Sequence, residues 1–231
     1  MRVTIHQPEH LPWLGLLAKV AASDLWIVLD SVPYRKNYFQ NRNRVLLAGQ
    51  ETWLTVPVNA PFGTLIREVR VADTPHWRRR YRGRLAQAVS GTPGANRLEP
   101  LLAAIDDASP GSLLADLNLK LADWLLSQFD VKVPQMRASE LAATGSKSDL
   151  ILSLCKAAGA DEYIAGPSGR DYLDLTAFAD HDIAVRFFDF DHPTYPQGGR
   201  FVPCLSAVDA WSRLAPAELP ALLSGYRLGA N

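Results

Sequence analysis

The chain has 231 residues, 48% of them hydrophobic, and its 24 Lys plus Arg residues balance 24 Asp plus Glu residues. This composition suits a globular protein with a hydrophobic core, and the zero net charge argues against a general polyanion binder, including nucleic acid. Two cysteines exclude a disulfide scaffold and a cysteine-rich zinc site. Because there is no signal peptide and no apolar run approaching the roughly 20 residues of a membrane span, we expect a cytoplasmic protein.

The N-terminal residues predict a strand, a helix and a second strand. Residues 3–5 predict a short buried strand, Pro12 suits the first turn of a helix, and residues 25–29 form a continuous apolar run that is followed by Asp30. Ligands of open α/β sheets bind outside the carboxyl ends of the strands. We therefore place His6, Gln7, His10 and Asp30 in a candidate site, with Asp30 as an orienting carboxylate.

A polar segment follows the second strand, and its side chains have few partners nearby in the sequence. We predict that Lys36, Gln40, Asn41 and Arg42 bind the substrate. Two strand-like runs, at residues 44–47 and 52–58, flank a turn and predict a β-hairpin. Residues 64–71 predict a further strand.

Five arginines lie between Trp77 and Arg84, in a segment whose apolar residues have helical spacing. This helix is interpreted either as a solvated face or as a patch that docks a phosphate group or a carrier protein. Arginine supports the second interpretation because its guanidinium binds phosphate with two parallel hydrogen bonds. For that docking function, we single out Arg79 and Arg82.

The second half of the chain alternates helices and strands, after a connecting stretch near residues 91–111. Residues 113–129 predict a long core helix. Lys147 lies in a glycine-containing loop before the next helix, which is either an anion site or ordinary capping. Ser168 lies in a glycine-rich turn after a strand and is either a ligand contact or part of a plain turn. Cys155 has apolar neighbours, which favours a buried, inert thiol.

The last candidate site follows the final predicted strand, at residues 183–190. Asp189, Asp191 and His192 cluster there, followed by a proline-rich segment that contains Tyr195. Three interpretations stay open: a metal site, a catalytic or hydrogen-bonding histidine, and an ordinary loop. No ligand spacing supports a metal site, so we predict none. We carry forward His192 as a catalytic residue and Tyr195 as a substrate contact.

Several motifs in combination resemble the WbqC-like family, over residues 3 to about 215. One departure is Pro33-Tyr34, where family members often carry a glutamine–aromatic pair. The motifs that carry the resemblance are Ile5-His6-Gln7-Pro8, Pro12-Trp13-Leu14-Gly15, Gln40-Asn41-Arg42-Asn43-Arg44, Trp53-Leu54-Thr55-Val56-Pro57-Val58, Gly166-Pro167-Ser168-Gly169 and His192-Pro193-Thr194-Tyr195-Pro196-Gln197.

The resemblance implies a transferase, because members of that family are associated with O-antigen gene clusters, including clusters that attach aminoacyl groups to amino sugars. We expect an acyl or aminoacyl group to pass from a thioester on coenzyme A or a carrier protein to an amine. The phosphopantetheine thioester would be a substrate, and no tightly bound cofactor is predicted. His6 or His192 would deprotonate the amine, while Gln7, Asn41 and Arg42 would orient the substrate or stabilise the oxyanion.

Two other functions stay open. The first is nucleotidyl transfer, in which His6, His10, Lys36 and Lys147 would contact phosphates with a magnesium ion. The second is non-catalytic binding of a small molecule. For the fold, we predict a single α/β domain over residues 1–231, with a Rossmann-like three-layer mixed sheet and a small β-hairpin insertion.

Overall fold

The structure is a computed structural model, and it describes residues 1–229. Its centre is a mixed sheet of six strands: β1 (Arg2–His6), β2 (Leu25–Val28), β7 (Gln135–Arg137), β8 (Glu162–Ala165), β9 (Ala184–Phe190) and β10 (Tyr226–Gly229). Their spatial order is β10-β9-β8-β1-β2-β7. The neighbouring strands are parallel, except that β10 pairs antiparallel to β9.

Seven α-helices accompany the sheet in the part of the chain that the structure describes. They are α1 (Leu14–Ala21), α2 (Trp77–Val89), α3 (Glu99–Asp106), α4 (Leu114–Gln128), α5 (Lys147–Ala157), α6 (Leu175–Ala179) and α7 (Ala207–Arg213). The Rossmann-like mixed α/β fold expected from the alternation of helices and strands is confirmed.

Helices cover both faces of the sheet because successive residues of a strand point to opposite sides. In β2, Trp26 and Val28 belong to one apolar cluster, and Leu25 and Ile27 belong to another. The first cluster contains the apolar residues of α1, α4 and α7, and the second contains those of α5 and α6. The result is the three-layer arrangement of helix, sheet and helix.

The predicted hairpin is present as β3 (Arg42–Leu47) and β4 (Gln50–Thr55), which pair antiparallel. Its turn contains Ala48 and Gly49, with φ of 51° and 76°. Two successive positive φ values are the geometry of the tight turns that join twisted strands.

The strand predicted at residues 64–71 is mostly absent. A 3-10 helix, Ile66–Glu68, replaces it, and only Arg70–Val71 (β6) pairs, with Val58–Asn59 (β5). The backbone N–H groups of Ile66 and Arg67 donate to the carbonyls of Val32 and Asp30. This segment therefore closes the loop after β2 instead of extending a sheet.

The strand order creates one position where chain connections diverge. From β1 the chain passes through α1 to β2 on one side, whereas from β8 it passes through α6 to β9 on the other side. The crevice between the carboxyl ends of β1 and β8 is thus a topological switch point, the usual ligand site of open α/β sheets. His6 ends β1, and Gly166 directly follows β8.

Candidate functional site

The residue at the switch point is His6, and both nitrogens of its ring have charged side chains as partners. Nε2 lies 3.0 Å from Oε1 of Glu9, and Nδ1 lies 3.1 Å from Nζ of Lys19. Glu9 comes from the turn after β1, and Lys19 comes from the last turn of α1. The carboxylate, the imidazole and the amine are therefore linked in a row by hydrogen bonds.

The chemistry of the two partners fixes the tautomer of His6. An ammonium group only donates hydrogen bonds, and a carboxylate only accepts them. Lys19 therefore donates to Nδ1, and the proton on Nε2 is donated to Glu9. Burial and the nearby Lys19 charge lower the pKa of His6, while Glu9 acts in the opposite direction. His6 is neutral at pH 7, and its ring fixes the positions of Glu9 and Lys19 on its two sides.

Lys19 is the charged residue of an otherwise apolar helix and is only 5% exposed. Burial lowers its pKa from 10.5 to about 8, and the Glu9 carboxylate limits that shift. Its Nζ also lies 3.4 Å from the Ile5 carbonyl. A lysine with such a pKa is mostly an ammonium at pH 7, yet it gives up its proton close to neutrality.

One carboxylate oxygen of Glu9 accepts no hydrogen bond from residues 1–229. Oε1 accepts from His6, whereas Oε2 is buried and has no hydrogen-bond partner. A buried carboxylate oxygen without a donor is costly, so native proteins seldom leave one unsatisfied. Since Glu9 lines the cavity at the switch point, its free oxygen is suited to accept from a ligand.

Two cavities meet at this group. The larger, of about 440 Å³, reaches from His6 toward the loop after β2 and is lined in part by Gln7, Arg35, Tyr38, Ser168 and Tyr172. The smaller, of about 270 Å³, has a mainly aromatic and aliphatic wall that includes Trp13, Leu16, Phe188 and Phe190. Four residues line both cavities: His6, Lys19, Gly166 and Pro167.

The turn after β8, whose residues Gly166 and Pro167 line both cavities, depends on close packing. A Cβ atom on Gly169 would lie 2.9 Å from a Leu173 methyl group and 3.1 Å from the Ala165 Cβ. Both distances are shorter than ordinary contacts, so a larger residue would displace the turn. This packing keeps Ser168, the predicted ligand contact, in the wall of the larger cavity.

Three of the predicted site residues, His6, Gln7 and Ser168, line the larger cavity together. Gln7 accepts a hydrogen bond from Nε2 of Gln40, at 2.5 Å. Gln40 is buried behind Gln7, and its own Oε1 has no partner within residues 1–229. Gln40 thus orients Gln7 without itself lining the cavity.

His10 is buried, away from both cavities. Its Nδ1 donates to Oδ1 of Asn118 at 3.0 Å, and its Nε2 accepts from the Tyr81 hydroxyl at 2.6 Å. Burial lowers the pKa of His10 to about 4, so its ring stays neutral. Asn118 also donates to the carbonyls of Pro8 and Gln40. His10 and Asn118 therefore fix the turn that carries Glu9.

Asp30 is fully buried, and its carboxylate accepts from the backbone N–H and the hydroxyl of Ser139, at 2.9 and 2.8 Å. It does not line either cavity at His6. Its geometry connects the end of β2 to the segment after β7. Asp30 therefore holds two segments of the chain together and is not in the wall that a substrate would contact.

The other predicted contacts of the polar segment lie outside both cavity walls. Asn41 is buried and donates to the Val56 carbonyl. Arg42 donates to the Asn37 carbonyl and stacks over Trp53, 4.1 Å from the ring centre. Lys36 is exposed. Asn41 and Arg42 hold the β3–β4 hairpin in place, and they do not contact the His6 group.

His192 lies beyond the end of β9, in an aromatic cluster. Its ring stacks on Trp13, with centres 6.3 Å apart, and Nδ1 donates to the Pro193 carbonyl at 2.9 Å. Burial lowers its pKa, and its Nε2 is buried without a partner within residues 1–229. Tyr195 is buried and donates to Asp209 at 3.0 Å. Trp13 lines the smaller cavity, whereas His192 does not.

The predicted phosphate contacts also lie away from His6. Lys147 is exposed at the start of α5, with a φ of 49°. Arg79 is exposed on α2, whereas Arg82 forms ion pairs with Asp106 and Glu99. Cys155 is fully buried, and burial raises the pKa of its thiol to about 12.

Sequence analysis overlooked Glu9 and Lys19. The signal for Lys19 was a single lysine between apolar positions of a short helix, where every neighbouring residue predicts burial. The signal for Glu9 was its position three residues after His6, within the same turn. The described residues 1–229 contain no group of three His, Cys, Asp or Glu side chains placed to hold a metal ion. Within the same range, no helix is long and apolar enough to cross a membrane.

Comparison with known proteins gives a family but no described activity. The chain is 30% identical over 212 residues to the uncharacterized protein Rv1507c of Mycobacterium tuberculosis. The aligned region covers 90% of this chain and 91% of that protein. No solved structure matches the chain significantly. The model of the WbqC-like protein family matches residues 7–219, almost the whole sequence. The chain therefore belongs to the WbqC-like protein family.

Proposed function

We propose that the protein transfers an acyl or aminoacyl group from a thioester to an amine carried by a sugar or another small metabolite. The observation that supports this proposal best is the chain Glu9–His6–Lys19 at the junction of two cavities. A transferase must bring two substrates together at one proton-transferring group, and two cavities that share His6 and Lys19 provide such a meeting point.

The larger cavity suits the amine acceptor. The free Oε2 of Glu9 accepts a hydrogen bond from the neutral amine nitrogen, the form of the acceptor that can attack a thioester. Gln7, Arg35 and Ser168 on the same wall supply hydrogen-bonding groups for a hydroxylated sugar. Tyr38 and Tyr172 are exposed aromatic residues that cover a sugar ring at the entrance.

The smaller cavity suits the donor. Its wall of Trp13, Leu16, Phe188 and Phe190 accommodates the acyl group and the arm that carries the thioester. Lys19 lines this cavity too, and its ammonium donates to the carbonyl oxygen of the thioester. Negative charge develops on that oxygen during attack, so a desolvated positive charge stabilises the transition state more than the ground state.

The proposed reaction joins an amine and a thioester to give an amide and a thiol. The amine nitrogen attacks the carbonyl carbon, so a C–N bond forms and the C–S bond breaks. The nitrogen loses one proton to Oε2 of Glu9, and that proton passes to the departing thiolate. His6 keeps Glu9 oriented through its Nε2 proton, while Lys19 holds the opposite side of the ring. Glu9 is the proton acceptor, and His6 is a positioning residue.

The test is amide formation by the purified protein, detected by mass spectrometry. Acetyl-coenzyme A and aminoacyl-coenzyme A are mixed with a panel of amino sugars. Glu9→Gln keeps the shape of the side chain but cannot accept a proton, so we expect its rate to fall by ~10²–10⁴-fold. The matched control is Glu140→Gln, an exposed residue outside both cavities, whose rate should not change.

Two results would contradict the proposal. Glu9→Gln with the wild-type rate would remove Glu9 as the proton acceptor. Saturable binding of an amino sugar, with no amide from either donor, would favour a binding protein instead of an enzyme.

A further inference from the structure

A third cavity, of about 180 Å³, lies between α2 and the end of the β3–β4 hairpin. It shares no lining residue with the two cavities at His6. Its lining combines apolar, hydroxyl and positively charged groups: Leu54, Thr55, Pro57, Thr74, Trp77, Arg80, Tyr81 and Arg84. None of these side chains is a carboxylate.

Four of the five arginines of α2 fall into two pairs. Arg78 donates to the Ala108 carbonyl, and Arg82 forms ion pairs with Asp106 and Glu99, so these two guanidinium groups connect α2 to α3 and the turn after it. Arg80 and Arg84 are one helical turn apart, are exposed, and have no carboxylate within salt-bridge distance in residues 1–229. Their two positive charges therefore border the cavity, and no negatively charged side chain in the described part of the chain neutralises them.

Trp77 supplies an independent observation. Its side chain is only 5% exposed and lines the cavity, yet its indole N–H has no acceptor within the described residues. A buried N–H group without an acceptor is unfavourable, so an oxygen of a molecule bound in the cavity would stabilise this one by accepting its hydrogen bond. The Tyr81 hydroxyl is already occupied, since it donates to His10.

We propose that this cavity binds the phosphate group of a small phosphate monoester. The wall offers hydrogen-bond donors from Arg80, Arg84 and Trp77, and arginine forks match phosphate oxygens with two parallel bonds. Leu54, Pro57 and the indole ring provide apolar contacts for the carbon part of the molecule. This proposal does not rest on the transfer reaction proposed above.

The experiment is titration calorimetry of the full-length protein with inorganic phosphate and with glucose 6-phosphate, with glucose as the uncharged control. We expect saturable binding of both phosphate compounds and none of glucose. Arg80→Gln and Arg84→Gln should each weaken binding by about tenfold or more, because each removes a charge-assisted contact. Trp77→Phe keeps the ring but removes the N–H donor, and it should weaken binding by a smaller factor.

Arg79→Gln is the matched control, because Arg79 is an exposed arginine of the same helix that does not line the cavity. Its affinity for phosphate should stay within about twofold of wild type, since only long-range charge changes. Arg80→Lys keeps the charge without the fork and should give an intermediate affinity. Two results would overturn the proposal: absence of saturable phosphate binding, or equal weakening by Arg79→Gln and Arg80→Gln.

Discussion

The amine of Lys19 lies 3.1 Å from Nδ1 of His6, inside the protein and at the carboxyl end of the central strand. This contact connects the fold to the proposed chemistry. It exists because α1 begins after the turn that follows β1 and runs back along the sheet, so its last turn returns to β1. Burial of Lys19 among apolar residues costs stability, and the proposed site explains why the charge is kept.

The first prediction concerns that cost. Lys19→Met should raise the free energy of unfolding at pH 7 by about 1–3 kcal/mol, because a buried ammonium is replaced by an apolar side chain of similar length. Urea unfolding measures the change. The matched control is Lys156→Met on α5, where the lysine is exposed and the effect should stay within about 0.5 kcal/mol.

The pH dependence of this gain follows from the pKa of Lys19. The folded-state pKa of about 8 is lower than the ordinary 10.5, so between these values the unfolded chain binds the additional proton. The wild-type protein therefore becomes more stable as the pH rises through this window, and the advantage of Lys19→Met should shrink. An advantage that grows from pH 7 to pH 10 would contradict the assignment.

A second prediction concerns acid stability. The pKa of His10 is lowered from 6.5 to about 4 by burial, so below pH 6.5 the unfolded chain takes up a proton that the folded protein does not. His10 should therefore remove about 2–3 kcal/mol of stability as the pH falls from 6.5 to about 4. His10→Gln should show a smaller loss across the same range in urea unfolding. An equal loss in the variant would show that other groups cause the acid sensitivity.

The third prediction tests the support of the turn that carries Glu9. Asn118→Leu removes the donors to the Pro8 and Gln40 carbonyls and the acceptor of His10, so we expect roughly 2–4 kcal/mol of destabilisation. Thermal unfolding measures it. Asn96→Leu, at an exposed position, is the control and should be nearly neutral. Comparable stability of Asn118→Leu and wild type would contradict the proposed role of Asn118.

The fourth prediction concerns the buried thiol. Burial raises the pKa of Cys155 to about 12, which keeps it protonated and unreactive at pH 7. Cys155→Ala should retain the rate of amide formation and lose about 1 kcal/mol of stability through the cavity that it leaves. Loss of turnover in a folded variant would reveal a covalent mechanism that our account lacks.

The sequence predicted the fold more fully than the site. Alternating apolar runs predicted most of the strands and helices, because hydrophobic periodicity reports directly on burial. The strand predicted at residues 64–71 was wrong, because this segment contains a 3-10 helix whose N–H groups donate to the loop after β2. No local pattern contains that long-range contact.

The site was harder to predict because its partners come from separate elements. His6 and Gln7 could be placed at the end of a strand, and they do line the larger cavity. The hydrogen bond between Lys19 and His6 depends on how α1 packs on the sheet. The hydrogen bond from Asn118 to the Pro8 carbonyl joins residues that are 110 positions apart. Asp30 satisfied the same pattern as His6, but its partner Ser139 lies 109 positions further along the chain, in the segment after β7.

The most direct test of the account compares the two histidines that sequence analysis proposed as catalytic. The measurement is the rate of amide formation by folded His6→Gln and His192→Gln, with folding checked by circular dichroism. We predict that His6→Gln loses about 10²-fold or more, because Glu9 and Lys19 lose the ring between them, and that His192→Gln stays within about tenfold. A folded His6→Gln variant with near wild-type rate, together with an inactive His192→Gln variant, would contradict the account and place the chemistry at the end of β9.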